Sequence, residues 1–214
     1  MQMMELPVLM DKLKQRLQLA LPGIRAHEIM RAVPVAAQLL KFDHTLPPKP
    51  GSVLILLYPD RGSIKFPLTK RQTYAGAHSG QISLPGGKRE AGETFIETAL
   101  REAEEEIGIN SADVTVVGRL SDFFVIPSNF MVTPVIGYSK VKPVFTADSY
   151  EVARILEADL FELISDTAIQ SKEITVGSNF QMQAPHFEIE QEIVWGATAM
   201  MLNELRIILQ EVIH

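Results

Sequence analysis

The chain has 214 residues, 46% of them hydrophobic and 21% charged, the balance of an ordinary globular protein with one main core. Its formal net charge of −6 gives no electrostatic reason to expect DNA, RNA or an anionic membrane as a partner. It contains no cysteine, which excludes disulfides, thiolate chemistry and cysteine-based zinc sites. With no secretory signal pattern at the N-terminus, a cytoplasmic protein is expected.

Taken in chain order, Leu9, Leu13, Leu17 and Leu21 recur at helical spacing with Lys12, Lys14 and Arg16 between them, which predicts an amphipathic helix over residues 7–21. Its polar face is not strongly basic, so packing on this domain or on a second copy is expected rather than membrane contact; a homodimer stays open. No apolar run approaches the roughly 20 residues of a bilayer span. Residues 1–45 read as a helical extension packed on a domain spanning 46–214. The boundary is the linker-like Pro47-Pro48-Lys49-Pro50-Gly51, which cannot continue a helix. Strand-like runs follow at residues 53–58, 64–68, 81–84, 114–120, 123–126, 132–138, 151–156, 173–176 and 187–189. Helical patterns lie at 95–107 and 195–213. Together these predict an α/β fold, a mixed sheet with helices on both faces. His27, His44, His186 and His214 show no metal-ligand spacing.

The informative stretch runs from Gly86 to Ile109. Thr94 followed by Glu97 is a capping box that starts a helix, and Gly108 is suited to end it in a left-handed cap. At about 100° per residue, Ile96, Ala99, Leu100, Ala103 and Ile107 form a face that should pack on the sheet. Glu102, Glu105 and Glu106 gather on another face, with Arg101 at its edge. Three like charges there disfavour the helix by a few tenths of a kcal/mol per pair, near a helix end whose dipole prefers cations. Hard divalent cations, bound through carboxylate oxygens, resolve that conflict. The bland alternative is a solvated acidic face, the expected state of Glu97 and Glu104.

The spacing decides between the two. Gly87, Glu93, Arg101, Glu102, Glu105, Glu106, Gly108 and Ile109 match Gly-x5-Glu-x7-Arg-Glu-U-x-Glu-Glu-x-Gly-U, where U is a bulky aliphatic residue. This segment resembles the signature of the Nudix hydrolases. Seven fixed Gly or polar positions would match by chance in on the order of one chain per million of this length. Ala103 departs from the preference for a larger aliphatic residue, a matter of packing. The resemblance implies a Nudix-type α/β/α sandwich with a mixed central sheet. It further implies a Mg²⁺- or Mn²⁺-dependent enzyme that cleaves a diphosphate bond in a nucleotide-containing small molecule. Glu102 and Glu106 would then ligate the metal, with the Gly86 carbonyl. Glu105 would be a further ligand or the group that orients or deprotonates water, and Glu93 with Arg101 an ion pair bracing loop against helix.

Upstream, residues 67–87 resemble the extra motif of the coenzyme A pyrophosphatases, a Nudix subgroup: Leu68, Thr69, Arg71, Gly80, Pro85, Gly86 and Gly87 match in register, and His78 fits its loop. Gly76 stands where that motif has arginine. The resemblance implies substrate contacts from Arg71, Thr69, His78, Gly80 and Gly87. It also implies hydrolysis of coenzyme A or acyl-CoA to adenosine 3′,5′-bisphosphate and (acyl-)4′-phosphopantetheine. Two rivals remain: hydrolysis of another nucleoside diphosphate derivative such as ADP-ribose or a dinucleotide, and a non-catalytic nucleotide sensor of the same fold. Glu157 and Glu162 are candidate distal carboxylates.

Overall fold

The computed structural model describes residues 5–36, 42–73, 80–177 and 180–213. In chain order the elements are α1 (Leu6–Arg16), α2 (Ile24–Ile29), β1 (Val33–Pro34), β2 (Lys49–Asp60), β3 (Ser63–Arg71), β4 (Ile82–Ser83), β5 (Gly86–Lys88), α3 (Phe95–Ile107), β6 (Thr115–Arg119), β7 (Phe123–Val125), β8 (Phe130–Tyr138), β9 (Val152–Asp159), α4 (Leu160–Ile164), β10 (Gln170–Val176), β11 (Phe180–Ile189), β12 (Glu192–Val194) and α5 (Gly196–Ile213). The larger sheet runs β4-β3-β2-β8-β6, with β9 on β3, β5 on β2 and β7 on β8. Among the described residues only β2 and β8 pair in parallel, so the sheet is mixed. A smaller sheet joins β1, β11 and β10, with β12 on β11. Among the described residues no helix is long and apolar enough to cross a membrane.

The apolar run Leu54 to Tyr58 is fully buried without alternation, as expected of a central strand covered on both faces. Leu54, Leu56 and Tyr58 pack with Ala99, Ala103 and Ile107 of α3. Ile55 and Leu57 join the opposite cluster, which contains Leu9 and Leu13 of α1 and Leu202, Leu205 and Leu209 of α5. Helices on the two faces of one mixed sheet make an α/β/α sandwich.

Several expectations need adjustment. The first helix stops at Arg16, one turn earlier than the leucine spacing suggested. The N-terminal extension also contributes a strand, β1, whose Val33 and Pro34 pair with Gln183 and Met182. Pro50 and Gly51 belong to β2 and not to a linker, because Lys49 to Gly51 pair with Phe130 to Val132 of β8. Ile96 does not face the sheet; it is 44% exposed, and Thr98 takes an inward position, donating to Glu93 and to the Thr94 carbonyl. The strands expected at 173–176 and 187–189 are longer than their apolar content implied, since Gln181 and Gln183 of β11 pair with Thr175 and Glu173 of β10 in a largely exposed ribbon.

The site depends on a splay in the sheet. β2 and β3 pair only near their shared turn, from Tyr58↔Lys65 to Asp60↔Ser63. Beyond that, β4 pairs with β3 through Thr69↔Ser83, and β5 pairs with β2 through Val53↔Gly86 and Ser52↔Gly87. The segment 82–88 therefore bridges the gap and carries Gly86 and Gly87 between the two strands.

Beyond its apolar packing and the β1 pairing, the N-terminal segment is fastened through a buried carboxylate. Glu204 of α5 is fully buried. It accepts the Gly23 N–H at 3.0 Å, the Ser121 N–H at 3.3 Å and the Ser121 hydroxyl at 2.6 Å, and His27 Nε2 lies 3.0 Å away. Burial alone would raise this carboxyl; the bonds from His27, Ser121 and Gly23 outweigh it and hold it below its ordinary value of 4.5. A depressed folded-state value contributes stability that is complete above pH 4.5 and is lost as pH falls through the folded value. Glu204→Ala is expected to cost about 3–5 kcal/mol near pH 7, because it strands the buried donors, and the gap to the parent should narrow in acid. Denaturant melts at several pH values check this; a pH-independent gap would show that packing alone is lost.

Candidate active site

Helix α3 is set in place by local chemistry. The Thr94 hydroxyl accepts the Glu97 N–H at 3.2 Å and the Glu97 carboxylate accepts the Thr94 N–H at 2.7 Å, the reciprocal capping box. Gly108 ends the helix at φ 70°. A Cβ there would press on Thr146. The loop after β8 then crosses the helix end, where the N–H groups of Thr146 and Asp148 donate to the carbonyls of Ile107 and Glu106, each at 2.9 Å. This satisfies carbonyls that a helix C-terminus leaves open.

On the inner face of α3, Glu106 is 5% exposed and its Oε2 accepts the Gly86 N–H at 3.2 Å. Burial pushes its carboxyl up to about 7, against the pull of Gly86 and of the Arg71 charge; Glu151 and Glu102 add to the rise. Glu102 lies over Gly87 so closely that a Cβ at that position would collide with its carboxylate. Its carboxyl is also raised, first by burial, with Glu105 and Glu151 contributing and Arg101 opposing.

On the outer edge, Arg101 ties loop to helix. Its Nε donates to Glu93 Oε1 at 2.6 Å, and its Nη2 donates to Glu93 Oε2 and to the Lys88 carbonyl, each at 3.2 Å. Its Nη1 lies 3.0 Å from Glu102 Oε1 and 3.2 Å from Glu105 Oε2. Glu93 also accepts the Thr98 hydroxyl at 2.8 Å and the Glu90 N–H at 3.0 Å. Arg101 first, then the Glu90 N–H, pull its carboxyl down to about 2, so it is an anion at any ordinary pH.

The expected residues thus divide. Glu102, Glu106, Gly86 and Gly87 come together, and Arg71 acts on Glu106 from the end of β3. Glu105 is largely exposed and paired with Arg101. Among the described residues no three acidic or histidine side chains are gathered into a ready-made metal cage. The donor chemistry still fits a divalent cation: Glu102 and Glu106 are desolvated carboxylates under mutual repulsion, and hard cations take such oxygens. Thr69 does not reach the site; it is buried and its hydroxyl lies 3.0 Å from Ser83 Oγ, a cross-strand role. Gly80 has φ 66° and returns the chain to β3 through its N–H to the Gln72 carbonyl, 3.4 Å. His78, with Gly76, lies outside the described residues.

Neither candidate distal carboxylate joins the group. Glu157 is taken by the Tyr58 hydroxyl at 2.6 Å and by Lys142 at 2.6 Å, and Glu162 lies on α4. Glu151 does act on Glu102 and Glu106. It lies far from both in sequence, outside the motif, and no local spacing marks it.

A NUDIX domain profile matches residues 48–156. Nudix hydrolase 3 of Caenorhabditis elegans is 34% identical over 168 residues, which cover 72% of this chain and 70% of that protein. A Yersinia enterocolitica protein, the uncharacterized Nudix hydrolase NudL, is 34% identical over 140 residues, covering 64% of this chain and 70% of its own length. Among solved structures, the Mycobacterium smegmatis Nudix hydrolase RenU superposes with a TM-score of 0.47 at 21% identity, over 55% of this chain and 74% of that one. The chain belongs to the Nudix family and is a pyrophosphohydrolase.

The burial of Glu106 has a consequence for stability. Its folded-state value of about 7 exceeds its ordinary 4.5, so the folded chain holds a proton that the unfolded chain releases in that window. Stability without metal then falls as pH rises through it. In the presence of chelator, Glu106→Gln is expected to be more stable than the parent by about 3 kcal/mol near pH 8, a gap that shrinks to under about 1 kcal/mol near pH 5. Thermal denaturation across pH measures the difference; a variant less stable at every pH would contradict the cost assigned to the buried charge.

Proposed function

We propose that the chain hydrolyses the diphosphate bond of coenzyme A or an acyl-CoA, giving adenosine 3′,5′-bisphosphate and (acyl-)4′-phosphopantetheine. The observation that carries this reading is the meeting of two separate motif segments. Arg71, from the segment resembling the coenzyme A subgroup, acts on the same buried carboxylate, Glu106, that the Nudix signature supplies. A guanidinium whose charge reaches such a group suits a phosphate oxygen, because its planar fork donates two bonds at once.

In this reading Glu102 and Glu106, with the Gly86 carbonyl, hold Mg²⁺ or Mn²⁺. A cation bound there would neutralise the diphosphate and lower the pKa of water. The residues themselves do the positioning. Arg71 orients one phosphate. Glu105, the most exposed of the three glutamates, is free to exchange Arg101 for a water molecule that it orients or deprotonates. Glu93 and Arg101 keep the loop before α3 against the helix, and Gly87 leaves room for Glu102 to sit against the chain. A sensor of the same fold would have no use for two desolvated carboxylates under mutual repulsion, so their retention favours an enzyme. Hydrolysis of ADP-ribose or a dinucleotide uses the same centre and is separated from the leading reading by the substrate panel below.

Chelator is expected to abolish activity, and Mg²⁺ or Mn²⁺ to restore it. Glu106→Gln and Glu102→Gln should each lower turnover by about two orders of magnitude or more, and Glu93→Gln by less. Equal losses for Glu93→Gln and Glu106→Gln at unchanged thermal stability would give Glu93 a direct part in the chemistry.

The substrate assignment is tested by a panel of CoA, ADP-ribose and dinucleotides, with products identified by mass spectrometry. CoA is expected to give the highest kcat/KM, and Arg71→Ala to lower it about ten- to hundred-fold through loss of one charged contact. Turnover of ADP-ribose or a dinucleotide without CoA hydrolysis would reject the CoA reading and leave the family membership intact.

A further inference from the structure

We propose that Glu151 is a positioning residue for Arg71: the turn before β9 holds its carboxylate beside the guanidinium and so keeps the Arg71 fork aimed at the glutamate site. This rests on the reading of Arg71 as a phosphate contact.

Three observations carry it. β3 pairs with β9 in regular register from Lys65↔Asp159 to Lys70↔Arg154, and then the register shifts, so that Arg71 faces Val152. A bulge of this kind re-aims a side chain, and bulges recur beside active sites. Second, the turn that follows is held from both sides. The Gln72 N–H donates to the Glu151 carbonyl at 2.9 Å and its side-chain amide to the Ser149 carbonyl at 3.0 Å. The Asp148 N–H donates to the Glu106 carbonyl at 2.9 Å, and the Val152 N–H closes the turn on the Asp148 carbonyl at 2.8 Å. Glu151 is thus fixed both to the strand that bears Arg71 and to the helix that bears the glutamates.

Third, Arg71 Nη2 lies 3.9 Å from Glu151 Oε2, while Arg71 Nε is buried with no hydrogen-bond partner among the described residues. The guanidinium therefore has a counter-charge that sets its direction and a donor still unused. A partly exposed ion pair contributes only about 0–1 kcal/mol to stability, too little to account for a carboxylate held from both sides. Holding a flexible cation in its binding geometry before substrate arrives does account for it, because orientation lost from one charged contact lowers catalysis severalfold or more.

The test is a double-mutant cycle on the full chain, with CoA as substrate and Mn²⁺ binding followed separately by electron paramagnetic resonance without substrate. Glu151→Gln is expected to raise KM about ten-fold, with kcat changed less than about three-fold, and Glu151→Asp to recover most of the loss. In an Arg71→Ala background, Glu151→Gln should add nothing further, and Mn²⁺ affinity should stay within about two-fold of the parent. A further loss in that background, or a clear drop in Mn²⁺ affinity, would overturn the proposal by making Glu151 act on the metal or water directly. An unchanged KM in Glu151→Gln, beside a raised KM in Arg71→Ala, would overturn it alone. If the parent hydrolyses ADP-ribose or a dinucleotide and not CoA, the same cycle is read with that substrate; if Arg71→Ala leaves the kinetics of the hydrolysed substrate unchanged, the phosphate reading of Arg71 fails and takes this proposal with it.

Discussion

The site depends on the burial of the Glu106 carboxylate against the Gly86 amide. A carboxylate taken out of water must find donors or counter-charges, or else keep its proton. Here it has one amide and the field of Arg71, and these do not suffice, since its carboxyl rises to about 7. The arrangement is tolerated because the rest of the sandwich holds α3 on the sheet. Ala99, Ala103 and Ile107 lock one face of the helix onto β2 and β8, the capping box fixes its start, and the loop after β8 ties its end. With the helix held in this way, Glu102 and Glu106 cannot relax into solvent. In the proposed reading, their unfavourable electrostatics are what a bound cation would relieve.

That arrangement requires close approach of backbone to carboxylate. The splay between β2 and β3 admits the segment 82–88, and at Gly87 the chain comes so near Glu102 that no side chain fits. The two arginines divide the remaining work. Arg101 is saturated by Glu93, Glu102, Glu105 and the Lys88 carbonyl, as suits a brace. Arg71 keeps a donor with no partner among the described residues, as suits a ligand contact.

On the other side of the sheet, α1 and α2 are part of the same structure as α5. Leu9 and Leu13 enter the main cluster, and Glu204 gathers Gly23, His27 and Ser121 around one carboxylate. Glu204 and Glu106 are both buried glutamates with opposite shifts. The first is surrounded by donors and falls below its ordinary value, and the second has too few and rises above it. The count of hydrogen-bond donors, more than the depth of burial, separates a carboxylate that fastens the fold from one suited to bind a cation.

Sequence by itself determined what depends on neighbours within a few turns. The bounds of α3, its cap, its glycine stop and the shared face of Glu102 and Glu106 follow from three- and four-residue spacings, while the bracing of Glu93 by Arg101 was legible only through the resemblance of the segment to the Nudix signature. The central strand announced itself through an unbroken apolar run. Tertiary structure alone decided the rest, because those contacts join residues that no local periodicity links. Thr69 and Arg71 stand two apart on one strand, yet Thr69 turns inward to Ser83 and the bulge carries Arg71 to Glu151. Glu105 shares a motif with Glu106 but pairs outward with Arg101. Glu151 and Glu204 carried no signal at all in the sequence, since a carboxylate acquires its role from the donors and charges that folding brings to it.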